Sequence, residues 1–282
     1  MRIRVLGSAA AEGWPALFCN CEGCKKARAN GGKDLRRRTA YLIDDDTLVD
    51  IGPDVYSATL EYGIDSAKII RLLITHSHTD HLTPRELTWR RKGFSKVESM
   101  MDIYANEASL NRICGESPVK DTERNPGKEP DEHHIRLHKV MPGDTFTSGD
   151  MTVTAILADH AMPPELPLNY IIQRNGVTAL IGHDSGWWCQ ESWDTLAKFK
   201  IDIAILECTY GLKWPDQSKK HCGSATDIRM RDELRRIGAL KDDAIVVVNH
   251  FSHNCQNLHN EMEQYFCPKG ILVGYDGMIL EK

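Results

Sequence analysis

The chain has 282 residues, of which 41% are hydrophobic and 27% charged, and its formal net charge is -5. That length suits one large domain or two modest ones, and the acidic balance argues against broad, non-specific nucleic-acid binding, which depends on a basic surface. No apolar run approaches membrane-spanning length, and the apolar part of the N-terminus is too short for a secretory signal. A cytoplasmic location is therefore the expectation, with the nine cysteines as thiols or metal ligands rather than disulfides.

The first half of the chain is predicted to alternate strands with short helices. We expect strands at 2–6, 39–43, 47–51, 69–74 and 102–105, and helices at 25–30, 55–62, 84–91 and 107–114. The basic triplet Arg36-Arg37-Arg38 is expected to be a solvated loop. The polar, proline-containing stretch 115–132 predicts a surface insert.

The second half is richer in strands. We expect strands at 135–140, 145–146, 151–157, 170–173, 178–181, 201–206, 244–249 and 271–280, and helices at 193–199, 227–237 and 258–266. Two β-rich halves with helices after their strands, and no linker between them, favour a single α/β domain over 1–282 built as a four-layer, two-sheet sandwich.

A cluster of three histidines and one aspartate follows the predicted strand at 69–74. It lies within Thr75-His76-Ser77-His78-Thr79-Asp80-His81. Imidazole and carboxylate together suit zinc, manganese or iron. Four such ligands cannot all serve one tetrahedral ion that keeps an open position, so the cluster indicates two adjacent metals.

Three further candidate ligands, His160, Asp184 and His250, also follow predicted strands. Ligands delivered from several strand ends meet at one edge of a sheet. We expect one metal on His76, His78 and His160, a second on Asp80, His81 and His250, and Asp184 bridging both. Two ions roughly 3.5–4 Å apart, with a bridging hydroxide, would activate the nucleophile and hold both attacking and leaving oxygens.

Two other histidines lie beside these ligands. His183 adjoins Asp184 but is expected to point to the opposite face of its strand and to be structural. His253 follows His250 by three residues. It is expected either to contact the phosphate and protonate a leaving alkoxide as a general acid, or to lie at the surface or behind the ligands.

A second candidate metal site is the run Cys19-Asn20-Cys21-Glu22-Gly23-Cys24. Three thiolates at this spacing can wrap one ion, and a closed structural zinc site needs a fourth ligand. His221 and Cys222 are the candidates for that ligand. Unligated thiols or an oxidisable pair are the alternative.

The His76 to His81 cluster resembles the H-x-H-x-D-H signature of the metallo-β-lactamase superfamily, and His160, Asp184 and His250 fall where its later ligands do. The resemblance covers essentially the whole chain. It implies an αβ/βα sandwich with a dinuclear site at one edge.

The opening Val5-Leu6-Gly7-Ser8-Ala9-Ala10, the cysteine run and the ending Gly274-Tyr275-Asp276-Gly277-Met278 are similar to the phosphodiesterases associated with carbon–phosphorus lyase. Pyrroloquinoline quinone biosynthesis proteins share such an opening but typically lack a complete His cluster. In the phosphodiesterases three cysteines and a histidine hold a structural zinc, which selects Cys19, Cys21, Cys24 and His221. Gly182-His183-Asp184-Ser185 and the insert at 115–132 depart from the family's pattern and leave the substrate open.

We therefore expect a cytoplasmic dinuclear metal phosphodiesterase acting on a small cyclic or nucleotide-like phosphate ester, in phosphonate metabolism, with Asp80 orienting the hydroxide. The expected cofactors are two catalytic divalent metals (zinc, manganese or iron) and one structural zinc. The expected partner is the substrate alone, without membrane or extended nucleic acid, and a homodimer stays an open expectation. The alternatives are an RNA-processing nuclease of the same superfamily and a metal-holding biosynthesis or carrier protein.

Overall fold

Two seven-stranded sheets form the centre of the molecule in the computed structural model, which describes residues 1–115 and 126–282. The strands of the first sheet, in spatial order, are β14 (Ile279–Glu281), β1 (Arg2–Gly7), β2 (Ala40–Ile43), β3 (Thr47–Val49), β4 (Arg71–Leu73), β5 (Met101–Ala105) and β6 (Ile135–Lys139). Those of the second are β13 (Leu272–Val273), β12 (Leu240–Asn249), β11 (Ile201–Glu207), β10 (Val177–Gly182), β9 (Leu168–Arg174), β8 (Met151–Leu157) and β7 (Thr145–Ser148).

Apolar side chains alternate between the two faces of each sheet. In β11, Ile203 and Ile205 belong to the core between the sheets, whereas Ala204 and Leu206 face the outer layer. Every residue of β11 is buried. A parallel strand covered on both faces is apolar at most positions, which is why the centre of β11, residues 203–206, is a continuous apolar run.

Helices cover the outer face of each sheet. They are α1 (Glu22–Asn30), α2 (Val55–Glu61), α3 (Glu107–Ile113), α4 (Gln190–Leu196), α5 (Ser224–Arg236) and α6 (His259–Phe266). Ala58 of α2 and Ile113 of α3 pack on the first sheet, and Leu234 of α5 and Phe266 of α6 on the second. The predicted αβ/βα sandwich is confirmed. Among the described residues, no helix combines the length and apolar character that crossing a membrane requires.

Strand direction brings the site-bearing loops to one edge. β10, β11 and β12 are parallel, and β8 runs the same way because β8 and β10 are both antiparallel to β9. In the first sheet β3, β4 and β5 are parallel. The carboxyl ends of these strands therefore supply the loops that carry the predicted ligands.

Two predicted elements differ from those of the structure, and part of a third lies outside the described residues. The predicted strand 271–280 is two short strands in different sheets, because Gly277 turns the chain at a φ of +89° and its N–H donates to the Val5 carbonyl at 2.8 Å. The predicted helix 84–91 is a 3-10 helix, Pro84–Arg90. Of the insert predicted at 115–132, residues 116–125 lie outside the described part of the chain.

Candidate metal centre

Two groups of donor atoms lie side by side at the edge where the strands end. The first consists of His76, His78 and His160, and the second of Asp80, His81, Asp184 and His250. Within each group the donor atoms all lie within 4.8 Å of one another. The second group is fully buried, whereas His78 of the first is exposed.

Asp184 stands between the two groups. Its Oδ2 lies 2.8 Å from His81 Nε2, 3.4 Å from His250 Nε2 and 3.5 Å from His76 Nε2. Its Oδ1 lies 3.7 Å from His160 Nδ1. One carboxylate thus faces ligands of both groups, which is the position a bridging ligand needs.

The far ring nitrogens of the buried histidines are held by oxygen atoms. His81 Nδ1 lies 2.7 Å from Asp50 Oδ2, and His250 Nδ1 lies 2.8 Å from Thr209 Oγ1. His76 Nδ1 lies 3.0 Å from Thr75 Oγ1. Partners of this kind fix the orientation of a ring and leave Nε2 free to bind a metal.

Several buried donor atoms facing this space have no hydrogen-bond partner among the described residues. They are His76 Nε2, His81 Nε2, His250 Nε2 and Asp184 Oδ1. Burying polar atoms without partners costs free energy, and a divalent cation would satisfy all of them at once. The nitrogen and oxygen donor set therefore fits a pair of ions such as zinc, manganese or iron.

The carboxylates of the centre are held in their charged form. Burial alone would raise the pKa of Asp184, but His250 and His160 outweigh it and hold that pKa well below its usual range. Burial also acts against the charged form of Asp80, yet the adjacent His81 lowers its pKa to about 2. Both side chains thus carry the negative charge that attracts a divalent cation.

His221 lies at this centre and not at the cysteines, which corrects the ligand set expected from the resemblance. Its Nδ1 is 3.3 Å from Asp184 Oδ1 and 3.6 Å from Glu207 Oε2. Burial would lower the pKa of His221, but Glu207 and Asp184 outweigh it and raise the pKa to about 9. The loop after β11 carries His221 to this edge because the Tyr210 N–H donates to the Cys222 carbonyl at 3.0 Å.

The fourth donor beside the cysteines is His253. Its Nδ1 lies 3.5 Å from Cys24 Sγ and 3.8 Å from Cys21 Sγ, and Cys19 completes a group within 4.8 Å. Zn–S and Zn–N bonds of ~2.3 and ~2.0 Å at a tetrahedral angle place S and N about 3.5 Å apart, so these distances fit a zinc site. The expected role of His253 as a general acid is therefore wrong, because its ring faces the thiols.

Two residues that support the centre were missed by sequence reasoning. Asp50 is fully buried and accepts from Thr75, His81 and His183, whose Nε2 lies 2.9 Å away. Its only sequence signal is a carboxylate directly after the apolar strand β3. Glu207 accepts from the Thr209 N–H at 2.8 Å and so supports the partner of His250. Glu207 is the last residue of β11, and its only sequence signal is likewise a carboxylate directly after an apolar run.

Comparison with known proteins identifies the family of this chain. The family described as Beta-lactamase superfamily domain matches residues 46–251, and the chain belongs to it. A ribonuclease Z from Thermosynechococcus vestitus is 28% identical over 116 residues, which are 41% of this chain and 27% of that protein. The match thus spans about a quarter of the length of that curated relative.

Two solved structures share the fold over essentially the whole chain. A diphosphatase from the PhnP family has a TM-score of 0.72 and 20% identity, covering 99% of this chain and 97% of its own. Zinc-bound PqqB from Methylobacterium extorquens has a TM-score of 0.72 and 16% identity, covering 100% of both chains.

Proposed function

We propose that this protein is a metal-dependent phosphodiesterase that hydrolyses a small cyclic or nucleotide-like phosphate ester. The observation that carries the proposal is Asp184, whose two oxygens face two adjacent groups of ligands. Two divalent ions bound there would activate water and neutralise charge on the phosphate. Side chains of the protein then orient the water and protonate the leaving oxygen.

Asp80 is the group that orients the attacking water. Its Oδ2 lies 2.9 Å from His81 Nε2, inside the buried ligand group. As a charged carboxylate it accepts a hydrogen bond from the water, which holds the oxygen lone pair towards the phosphorus atom.

His221 is the group that protonates the leaving oxygen. Its Nδ1 is held by Asp184 and Glu207, and its side chain is 21% exposed. In the described part of the chain its Nε2 makes no hydrogen bond, so this N–H is available to a substrate at the mouth of the site. From its position we therefore assign to His221 the general-acid role that the sequence had suggested for His253.

The rim beside His221 suits a substrate with a flat aromatic group. The Tyr210 ring lies 5.8 Å from the His221 ring and 5.6 Å from the Trp214 ring, and Trp214 is 42% exposed. Exposed aromatic faces stack on nucleobases. The aromatic rim favours cyclic nucleotides, which carry a base, whereas the resemblance to the carbon–phosphorus-lyase-associated phosphodiesterases favours phosphoribosyl cyclic phosphate, which has none, so both esters are to be tested.

The experiment is a screen of cyclic phosphates, dinucleotides and bis-p-nitrophenyl phosphate with zinc- and manganese-loaded protein. We expect turnover by the parent chain and its loss in Asp80→Ala. Asp243→Ala, which removes an exposed carboxylate paired with Lys282, is the matched control and should retain activity. Equal activity in a folded, metal-loaded Asp80→Ala variant would refute the proposal.

An RNA-processing nuclease is the second candidate, favoured by the partial match to a ribonuclease Z. The net charge of -5 speaks against it, because such enzymes hold RNA through basic surface. Cleavage of a precursor tRNA at a higher kcat/KM than any small phosphodiester would support the nuclease and displace the first proposal.

A further inference from the structure

Ser77 lies between the candidate ligands His76 and His78, and residues outside the cluster hold its backbone and its hydroxyl. Its N–H donates to Glu165 Oε1 at 2.7 Å, and its hydroxyl donates to Glu165 Oε2 at 2.8 Å. Arg112 of α3 donates to its carbonyl. The short segment that carries two ligands is thus held by hydrogen bonds to the N–H, the hydroxyl and the carbonyl of Ser77.

Glu165 is itself fixed in place. Asn106 Nδ2 donates to Glu165 Oε1 at 3.1 Å and to the Leu166 carbonyl at 2.9 Å. Asn106 Oδ1 caps α3 by accepting from the Ser109 N–H at 2.8 Å. The Glu165 carboxylate therefore connects the His76–His78 segment to the start of α3, and these hydrogen bonds restrict the motion of the segment.

Glu165 also belongs to the loop that begins at the third ligand of the same group. His160 follows β8, and the loop returns to β9, where the Leu168 N–H donates to the Thr75 carbonyl at 2.8 Å. One loop thus carries His160 and binds the backbone that carries His76 and His78. It sets the positions of all three donors of the first group.

The two ligand groups are supported in different ways. In the buried group, Asp50 holds the ring of His81 and Thr209 holds that of His250. In the first group, the described hydrogen bonds give the exposed ring of His78 a single contact, from Nδ1 to His160 Nε2 at 3.1 Å. Among the described residues no carboxylate or carbonyl accepts a hydrogen bond from that ring, so its position depends on the backbone around Ser77.

We propose that Glu165 is a positioning residue that presets His76, His78 and His160 for one of the two divalent cations. Glu165 anchors the backbone between His76 and His78, whereas Asp50 supports the His81 ring directly and the His76 ring through the Thr75 hydroxyl. The inference rests on the proposed function only in requiring that the centre holds two ions. It assigns Glu165 no contact with the substrate.

The test is the metal content of purified, folded protein loaded with zinc and dialysed, measured by mass spectrometry and by titration. We expect three equivalents in the parent chain, including the one at the cysteines. Glu165→Gln places an amide N–H where Ser77 needs an acceptor, and Ser77→Ala removes one donor. Both should retain two equivalents, with the third bound about 10- to 100-fold more weakly.

Glu107→Gln is the matched control, because Glu107 lies in α3 and pairs with Lys139 rather than with the ligand segment. It should retain three equivalents. A general loss of fold would release all metals together, whereas the positioning role predicts selective loss of one. Three equivalents in folded Glu165→Gln and Ser77→Ala overturn this inference alone, whereas a parent chain with metal only at the cysteines overturns the proposed function and this inference with it.

Discussion

Three residues of the centre, Asp50, Asp184 and His250, adopt a left-handed backbone conformation. Their φ values are +64°, +55° and +60°. Non-glycine residues held in this region cost on the order of 1–3 kcal/mol each. Each lies within two residues of the end of a strand, where the left-handed turn redirects the side chain from the sheet face towards the shared edge. Three of the eleven non-glycine residues with positive φ in the described part of the chain therefore lie where the ligands converge.

His221 gives the sharpest prediction at the scale of a single residue. If it protonates the leaving oxygen, His221→Asn will slow hydrolysis of an alkyl phosphodiester by about 10²–10⁴-fold. A p-nitrophenyl ester needs little protonation of its leaving group and will be affected far less. The measurement is kcat for the two esters with each variant loaded with the same metal.

His138→Asn is the control for this comparison, because His138 is a part-exposed histidine paired with Asp102 away from the centre. It should leave both rates unchanged. Equal slowing of both esters in His221→Asn would show that His221 acts by holding the metal or the fold and not as an acid.

At the scale of elements, the cysteine group joins the start of α1 to the 3-10 helix His253–Cys255, which follows β12. Because metal binding at such a site contributes directly to folding, His253→Asn should weaken zinc binding at the cysteines by more than about 100-fold, beyond the loss of an outer partner. The variant should also unfold at a lower temperature. Thermal unfolding with zinc titration measures both effects.

His221→Asn serves as the comparison variant, because His221 lies at the other centre. It should leave zinc at the cysteines intact. If His221→Asn released that zinc while His253→Asn retained it, the placement of the two histidines would be reversed and the ligand set drawn from the resemblance restored.

From His259, the first residue of α6, we expect the stability of the fold to depend on pH. His259 Nδ1 accepts from Arg36 Nη2 at 2.9 Å, and burial together with Arg36 lowers the pKa of His259 to about 4. An unfolded histidine has a pKa of ~6.5. As pH falls from about 6.5 towards 4, the unfolded chain binds a proton that the folded chain does not, so His259 lowers the stability of the fold.

His259→Gln lacks this titration. The stability advantage of the parent chain over His259→Gln should therefore shrink between pH 7 and pH 5, as measured by urea midpoints at constant metal. The ligand histidines titrate equally in both proteins and cancel in the difference. A difference that stays constant or grows on acidification would contradict the shift.

At the scale of the whole molecule, the architecture could be predicted from the sequence because apolar runs and turn residues are local signals. The two sheets follow from them, and the predicted ligands from His76 to His250 lie together because each belongs to a loop that follows the carboxyl end of a strand. Local signals could not decide between His221 and His253, because the choice depends on the path of the loop after β11. They also misplaced Arg36, which is 4% exposed and donates to the Gly274 carbonyl at 2.7 Å rather than lying in a solvated loop.

The most direct test of the central claim is anomalous X-ray scattering from a crystal of the metal-loaded protein. We expect three peaks: two on either side of Asp184, between the groups of His78 and His250, and one among Cys19, Cys21, Cys24 and His253. A single peak at the Asp184 centre, with full metal loading, would contradict the two-metal account. A metal bound by His221 together with the cysteines would contradict the placement of His221 and His253 in the structure.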